Sequence, residues 1–328
     1  MVSQQLLPAE RSVERRGRGL DVRGVLARYG TLIALILLVV VASLLSPRFL
    51  STVNLMNVLR QTSIVGVLGI GMTFVILTAG IDLSVGAMLA IVVVLVADTL
   101  EKTGSIPLAL IIGLAAGMAV GLVNGIGVTR GRVQPFVMTL GMLGVARSLA
   151  FLYTDGVPIP VLNNDFLQLG YGYVSQVPVP SIIFLSLLIV AALVLRFTPF
   201  GRYVYAIGSN EEAARLSGIN VQLYKTLVYV LSGATAAIAG VLYAAQLAVG
   251  PPIAGEGYEL DAIAAVVVGG TSLFGGQGGV IGTFLGALII GILGNILNLT
   301  GVSPFAQPLA KGALIIAAVW IVGRGQRT

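Results

Sequence analysis

The charged residues of this 328-residue chain stand so far apart that the stretches between them must avoid water. Arg28 and Arg48 enclose 19 uncharged residues, Arg60 and Asp82 enclose 21, and Lys102 and Arg130 enclose 27. Asp165 to Arg196 leaves 30, Lys225 to Glu256 leaves 30, and Asp261 to Lys311 leaves 49, enough for two crossings. Asp82 to Asp98 leaves only 15. A spanning helix needs about 20 apolar residues, within a range of roughly 17–25. Backbone in lipid must close its own hydrogen bonds, and runs this continuous suit helices rather than the alternating strands of a barrel. The spacing predicts an all-α, polytopic membrane protein of about ten helices: 29–46, 62–79, 84–100, 106–129, 134–152, 179–196, 226–247, 259–270, 280–298 and 305–323. The third and eighth are short.

Composition narrows the chemistry. Hydrophobic residues make up 57% and charged residues 10%, against the roughly 25% charged of an ordinary soluble domain. That excludes a soluble globular enzyme. The absence of cysteine and histidine excludes a disulfide-stapled domain, a zinc site, an imidazole proton shuttle and a thiol nucleophile. No catalytic residues and no metal ligands are readable. The formal charge of +6 is therefore read by side of the membrane, not as a nucleic-acid signal.

Six basic residues lie in the tail at Arg11, Arg15, Arg16, Arg18, Arg23 and Arg28, and two at Arg324 and Arg327. Arg130 and Arg132, then Arg196, Arg202, Arg215 and Lys225, fall on the same side, which collects 14 of the 19. Opposite loops hold Asp98, Glu101, Asp155, Asp165, Glu256, Glu259 and Asp261 against Arg48 and Lys102. Both termini are expected in the cytoplasm. The tail 1–28 is too basic and its apolar continuation too long for a cleaved signal, so the run after it is read as an uncleaved first helix.

The most informative segment follows the sixth helix. Ser209 and Glu212 have capping-box spacing, Asn210 is a second cap, Glu211 and Glu212 suit the positive end of a helix, and Gly218 suits its C′ position. So short a helix is marginal alone in water, so it either docks on a partner or rests on the membrane as a connector. Glu212-Ala213-Ala214 with Gly218 resembles the E-A-A-x-x-x-G loop of ABC importer permeases. The chain has no Leu-Pro after Gly218, unlike the larger permease branch. The Gly-Arg-Tyr-x-Tyr-Ala-Ile-Gly-x-Asn context from Gly201 is instead similar to ribose-type monosaccharide permeases. Gly80-Ile81-Asp82-Leu83-Ser84-Val85-Gly86 resembles the same family, as do Gly257 to Ala264, Val268-Gly269-Gly270-Thr271-Ser272-Leu273 and the glycine run at 275–279.

The resemblance implies a permease domain at 29–323, with a cytoplasmic coupling loop at 197–225 and a cytoplasmic end at 324–328. It implies an ABC ATPase subunit that uses ATP and magnesium, a periplasmic sugar-binding protein, and a second permease subunit, the same chain or a related one. No cofactor is expected in this chain and no nucleic acid among its partners, and lipid surrounds it in a bacterial inner membrane. Coupling is assigned to Arg202, Ser209, Asn210, Glu211, Glu212, Ala213, Ala214, Arg215 and Gly218.

Other candidates carry two readings each. Asp82 and Ser84, with Gly80 ending the helix before, fit either a hairpin turn or a pathway element. Gly269, Gly270, Thr271 and Ser272 fit a flexible turn or irregular backbone beside a protein-lined pathway. Arg60, Arg147 and Lys311 lie in the outer thirds of spans, where they line a vestibule, pair with other groups or snorkel to headgroups. Gly113, Gly117 and Gly121, and Gly282, Gly286 and Gly291, fit packing within one subunit or between two. The loop 153–180, with 249–260, is either a landing surface or a connector. No carboxylate falls mid-span, which disfavours an ion-coupled secondary transporter driven by protons; sodium coupling and a passive channel remain the alternatives.

Overall fold

A computed structural model describes residues 22–303 and 305–313, with side chains from Tyr29 onward. The arginine-rich tail up to Arg18, the far part of the tenth expected span and the C-terminal charges lie outside these residues. The order is α1 (Val22–Leu45), α2 (Thr52–Leu77), α3 (Val85–Thr103), α4 (Ile106–Thr129), α5 (Pro135–Thr154), β1 (Ile159–Pro160), α6 (Asn164–Tyr171), β2 (Tyr173–Val174) and β3 (Val177–Pro178). Then come α7 (Val179–Phe197), α8 (Pro199–Ser209), α9 (Glu211–Leu216), α10 (Val221–Leu247), β4 (Val249–Gly250), α11 (Tyr258–Val268) and α12 (Val280–Leu299), and α13 begins at 307–313.

Six of these helices, α2, α4, α5, α7, α10 and α12, are long and apolar enough to cross a membrane. α3 is 19 residues long but carries Asp98, Glu101 and Lys102 in its last turns. α11 has only 11 residues, too few to cross. Three expected spans begin well before the predicted start, α1 at Val22 among them. α2 starts at Thr52 because Ser51 accepts from the Asn54 N–H, and α10 starts at Val221 because Asn220 accepts from the Leu223 N–H. The helices α6 and α8 were not foreseen, although Asn163 and Thr198 cap them in the same way.

α2 and α10 form the centre and are buried along most of their length, with α3, α4, α11 and α12 packed around them. The outer helices turn large apolar side chains outward, among them Leu37, Ile111, Leu152 and Ile189. Apolar exposure on this scale suits lipid and not water.

Glycine decides how close the helices come. A Cβ at Gly233 would strike the Gly117 carbonyl, one at Gly117 would strike the Gly233 carbonyl, and one at Gly121 would strike the Tyr229 carbonyl. Gly282 meets the Gly269 carbonyl and Gly286 the Ala265 carbonyl in the same way. Both glycine rows therefore serve packing inside this subunit. Between α2 and α12 the contact includes polar pairs: Asn54 and Asn295 exchange amide hydrogen bonds of 3.0 and 2.8 Å, and the Thr73 and Thr283 hydroxyls lie 2.6 Å apart. Such interhelical bonds average about 0.6 kcal/mol in a membrane protein, so they fix register more than they supply stability.

Gly233→Leu is expected to force α4 off α10 at an overpacking cost of about 1–3 kcal/mol or more, lowering the thermal midpoint in detergent. Gly141→Ala, where a Cβ meets nothing within 4 Å, should leave that midpoint unchanged or raise it.

Candidate functional site

At one end of the bundle α8, α9 and the start of α10 form a continuous capped unit. Thr198 opens α8, with its hydroxyl 3.3 Å from the Gly201 N–H, and Pro199 needs no donor at the first position. Asn210 is shared: its own N–H donates to the Ala206 carbonyl to close α8, while its side chain accepts from Ala213 N–H at 2.9 Å to open α9. Ser209 is not the cap that its spacing from Glu212 suggests. It ends α8 and donates instead to the Tyr205 carbonyl at 2.9 Å.

Gly218 follows α9 at φ +83°, and Ile219 N–H then reaches back to the Ala214 carbonyl. Ala214 is buried against Ile207 and Val221, and this apolar contact seats the short helix. Glu211 pairs with Lys225 at 2.9 Å, and Glu212 pairs with Arg215. Arg202, Glu211, Glu212, Ala213, Arg215 and Leu216 are exposed, so α9 offers a surface of three charges and one leucine.

The glycine run joins this unit. Gly276 N–H donates to the Leu77 carbonyl at the end of α2 at 3.0 Å, and Tyr205 donates from α8 to the Gly278 carbonyl at 2.8 Å. Gly275, at φ +86°, packs against Ala79 and Gly208. Thr271 accepts from Gly279 N–H at 3.3 Å, and Ser272 N–H donates to the Gln277 carbonyl at 3.0 Å, which closes the loop on itself. Gly269 touches α12 and Gly270 turns the chain at φ +88°. Two segments predicted separately are therefore one contact surface, tied to α2, α11 and α12.

Asp82 and Ser84 lie deeper. After α2 the chain turns at Ala79 (φ +57°), not at Gly80, and runs back into the bundle. Gly80 is there because a Cβ would come 2.7 Å from the Tyr229 hydroxyl. The Asp82 carboxylate is fully buried and accepts from Ser84 N–H at 3.0 Å, Ser84 Oγ at 2.6 Å and Ser232 Oγ at 2.8 Å. Asn124 donates to Ser84 Oγ at 2.8 Å. Ser84 precedes α3 but makes no capping bond, since its hydroxyl is spent on Asp82. A carboxylate at a helix end in sequence thus stands beside Ser232, well inside α10. The expectation of no carboxylate at that depth is corrected by the chain's return. Burial of a charge is tolerated only with donors such as these, and the cluster pins α3, α4 and α10 together.

At the opposite end, the three cations read as vestibule-lining, paired or snorkelling each meet partners of their own. Arg60 lies over the rings of Tyr171 and Tyr173, 5.7 and 4.9 Å from their centroids. Arg147 donates to the Pro252 and Ala254 carbonyls at 2.9 and 2.7 Å, fixing the descent between β4 and α11. Lys311 pairs with Asp261 at 2.6 Å. Here β1 and β4 form an antiparallel pair, Ile159 opposite Gly250, so the loops 153–180 and 249–260 are one surface. Sequence reading missed Ser232, Asn124 and Tyr229, because polar residues inside apolar helices carry no motif of their own. Among the described residues no cluster of acidic side chains could hold a metal.

A family described as "Branched-chain amino acid transport system / permease component" matches residues 54–319. The chain belongs to this permease family. The ribose import permease protein of Bacillus subtilis is 48% identical over 298 residues, covering 90% of this chain and 92% of that protein. The ribose import permease protein of Escherichia coli K12 is 44% identical over 317 residues, covering 94% and 98%. The L-arabinose transport system permease protein of the same organism is 36% identical, covering 89% of each. No solved structure matches the chain. The matched region of this permease includes α8, α9, the glycine run and Asp82, and it leaves out the arginine-rich tail. As a permease subunit of the ABC importer class it is a multi-pass membrane protein and not an enzyme, and an ATPase and a substrate-binding protein are its implied partners.

In this permease Ser232→Ala should remove a hydrogen bond to the buried Asp82 carboxyl group and cost about 1–3 kcal/mol. A fall in the thermal midpoint measured by size exclusion in detergent checks this, and Ser217→Ala at the exposed residue that ends α9 serves as the unaffected control.

Proposed function

We propose that the chain is the membrane-spanning subunit of an ATP-driven monosaccharide importer whose solute is ribose or a related sugar. The observation that carries the substrate class is identity of 44% or more with ribose import permeases across nine-tenths of the chain. In this reading α11 crosses together with the non-helical descent 251–257 before it, and ten crossings put both termini in the cytoplasm of a bacterial cell, in the inner membrane, with 14 of 19 basic residues on the inner side. Two permease subunits, identical or related, enclose the pathway.

α9 then docks on the ATPase, which uses ATP and magnesium, through Glu212, Arg215 and Leu216. Its displacement passes through Asn210 into α8, and from Tyr205 and Gly208 into the run 269–279 and the ends of α2, α11 and α12. Those helices can so be driven between outward-open and inward-open packings. The β1–β4 end is the landing surface for the sugar-loaded binding protein. An ion-coupled transporter draws no support from the relatives.

In proteoliposomes holding the permease, its ATPase and its binding protein, sugar uptake should depend on ATP on the cytoplasmic side and persist when ionophores collapse ion gradients. Glu212→Lys should reduce uptake by more than about tenfold through charge reversal at the docked helix, with insertion unchanged by protease mapping. Full ATP-coupled uptake by that variant would remove α9 from the coupling path.

A further inference from the structure

A second polar site lies at the end of the bundle away from α9, built from residues without a motif. A cavity of about 190 Å³ opens between α2, α10, α11, α12 and α13. That is room for several waters or for one small solute. Gln61, Gln246, Gln307 and Asn298 line it with amides, and Asp261 and Lys311 with their ion pair. Tyr258 supplies an aromatic wall, and Ile64, Val65 and Ile290 an apolar floor.

One observation shows that the site is unfinished. Thr62 lines the cavity at 2% exposure, and its hydroxyl has no hydrogen-bond partner among the described residues. Gly291 lies against that hydroxyl, where any side chain would crowd it, and a Cβ at Gly294 would meet nothing within 4 Å. Gly291 thus covers one side of a buried group that lacks a partner, and Gly294 leaves open space nearby on the same helix.

The donor set states which solute fits. Each amide offers both a donor and an acceptor, Lys311 has donors beyond the one used on Asp261, and Asp261 has acceptor capacity left. The Asp261–Lys311 pair is neutral overall, so an ion of either sign would lie beside a charge of its own sign. A hydroxyl group, donor and acceptor at once, suits every member. We infer that this cavity is a membrane-embedded station for a neutral polyhydroxylated solute, a monosaccharide, with Thr62, Gln61, Gln246 and the Asp261–Lys311 pair holding its hydroxyls. The inference rests on the importer reading and adds that the permease itself contacts the sugar at a defined place.

The chain has no cysteine, so single cysteines report on the site directly. In the assembled complex, Gly294→Cys should react with a charged, membrane-impermeant methanethiosulfonate, and millimolar D-ribose should slow the reaction. Leucine, a zwitterion, should not slow it. Thr62→Val and Gln246→Leu should each lower sugar uptake about three- to tenfold, the share of one or two neutral hydrogen bonds. ATPase stimulation by the loaded binding protein should be retained in both variants.

Labelling that D-ribose and other monosaccharides leave unchanged, together with normal uptake by Thr62→Val and Gln246→Leu, would overturn the station while leaving the importer reading intact. Protection by leucine and not by sugars would overturn the solute class. If the unmodified complex takes up no monosaccharide, both readings fall.

Discussion

Helices in lipid gain nothing from hiding apolar side chains from water, so their association depends on how closely their backbones can approach. In this chain the approach is set by glycines facing carbonyls, Gly117 against Gly233 and Gly121 against Tyr229, with Gly282 and Gly286 doing the same against α11. The tight α4–α10 seam brings Asn124 and Ser232 within reach of one small cluster, and without it Asp82 would lack part of its donor set. The fold's polar interior is thus a consequence of its smallest residues.

That dependence explains which parts were legible in advance. Charge spacing located most of the long helices, because a missing charge over about 20 residues has few other meanings. Helix starts were poorer: Ser51 and Asn220 are ordinary cap residues, and their caps lie in segments whose charges, Arg48, Arg60 and Lys225, had been read as helix limits. The α9 motif was legible down to Gly218, since capping rules are local. The choice of Asn210 over Ser209 was not, because Ser209 had first been claimed by α8, a helix whose amphipathic sequence resembles a loop.

The long-range constellations were illegible for a different reason. Asp82 and Ser232 are 150 residues apart, and Asp261 and Lys311 are 50 apart. Only the return of the chain after Ala79 and the brevity of α11 bring these groups into the bundle. The glutamines and asparagines of the outer cavity likewise read singly as helix-end polarity and gain meaning from sharing a space.

The closed loop at 269–279 also bears on how such a chain can vary in length. The β2–β3 hairpin turns at Ser175 and Gln176 on an exposed end, and extra residues there could bulge into water without disturbing a crossing. Between Ser272 and Gly278 there is no such freedom. Gly276 must meet Leu77, Gly278 must meet Tyr205, and Thr271 must meet Gly279, each by a hydrogen bond to or from backbone. One inserted residue would shift all three partners out of register. Insertions and deletions in chains built this way should therefore accumulate at the β1–β4 end, leaving the opposite end constant in length.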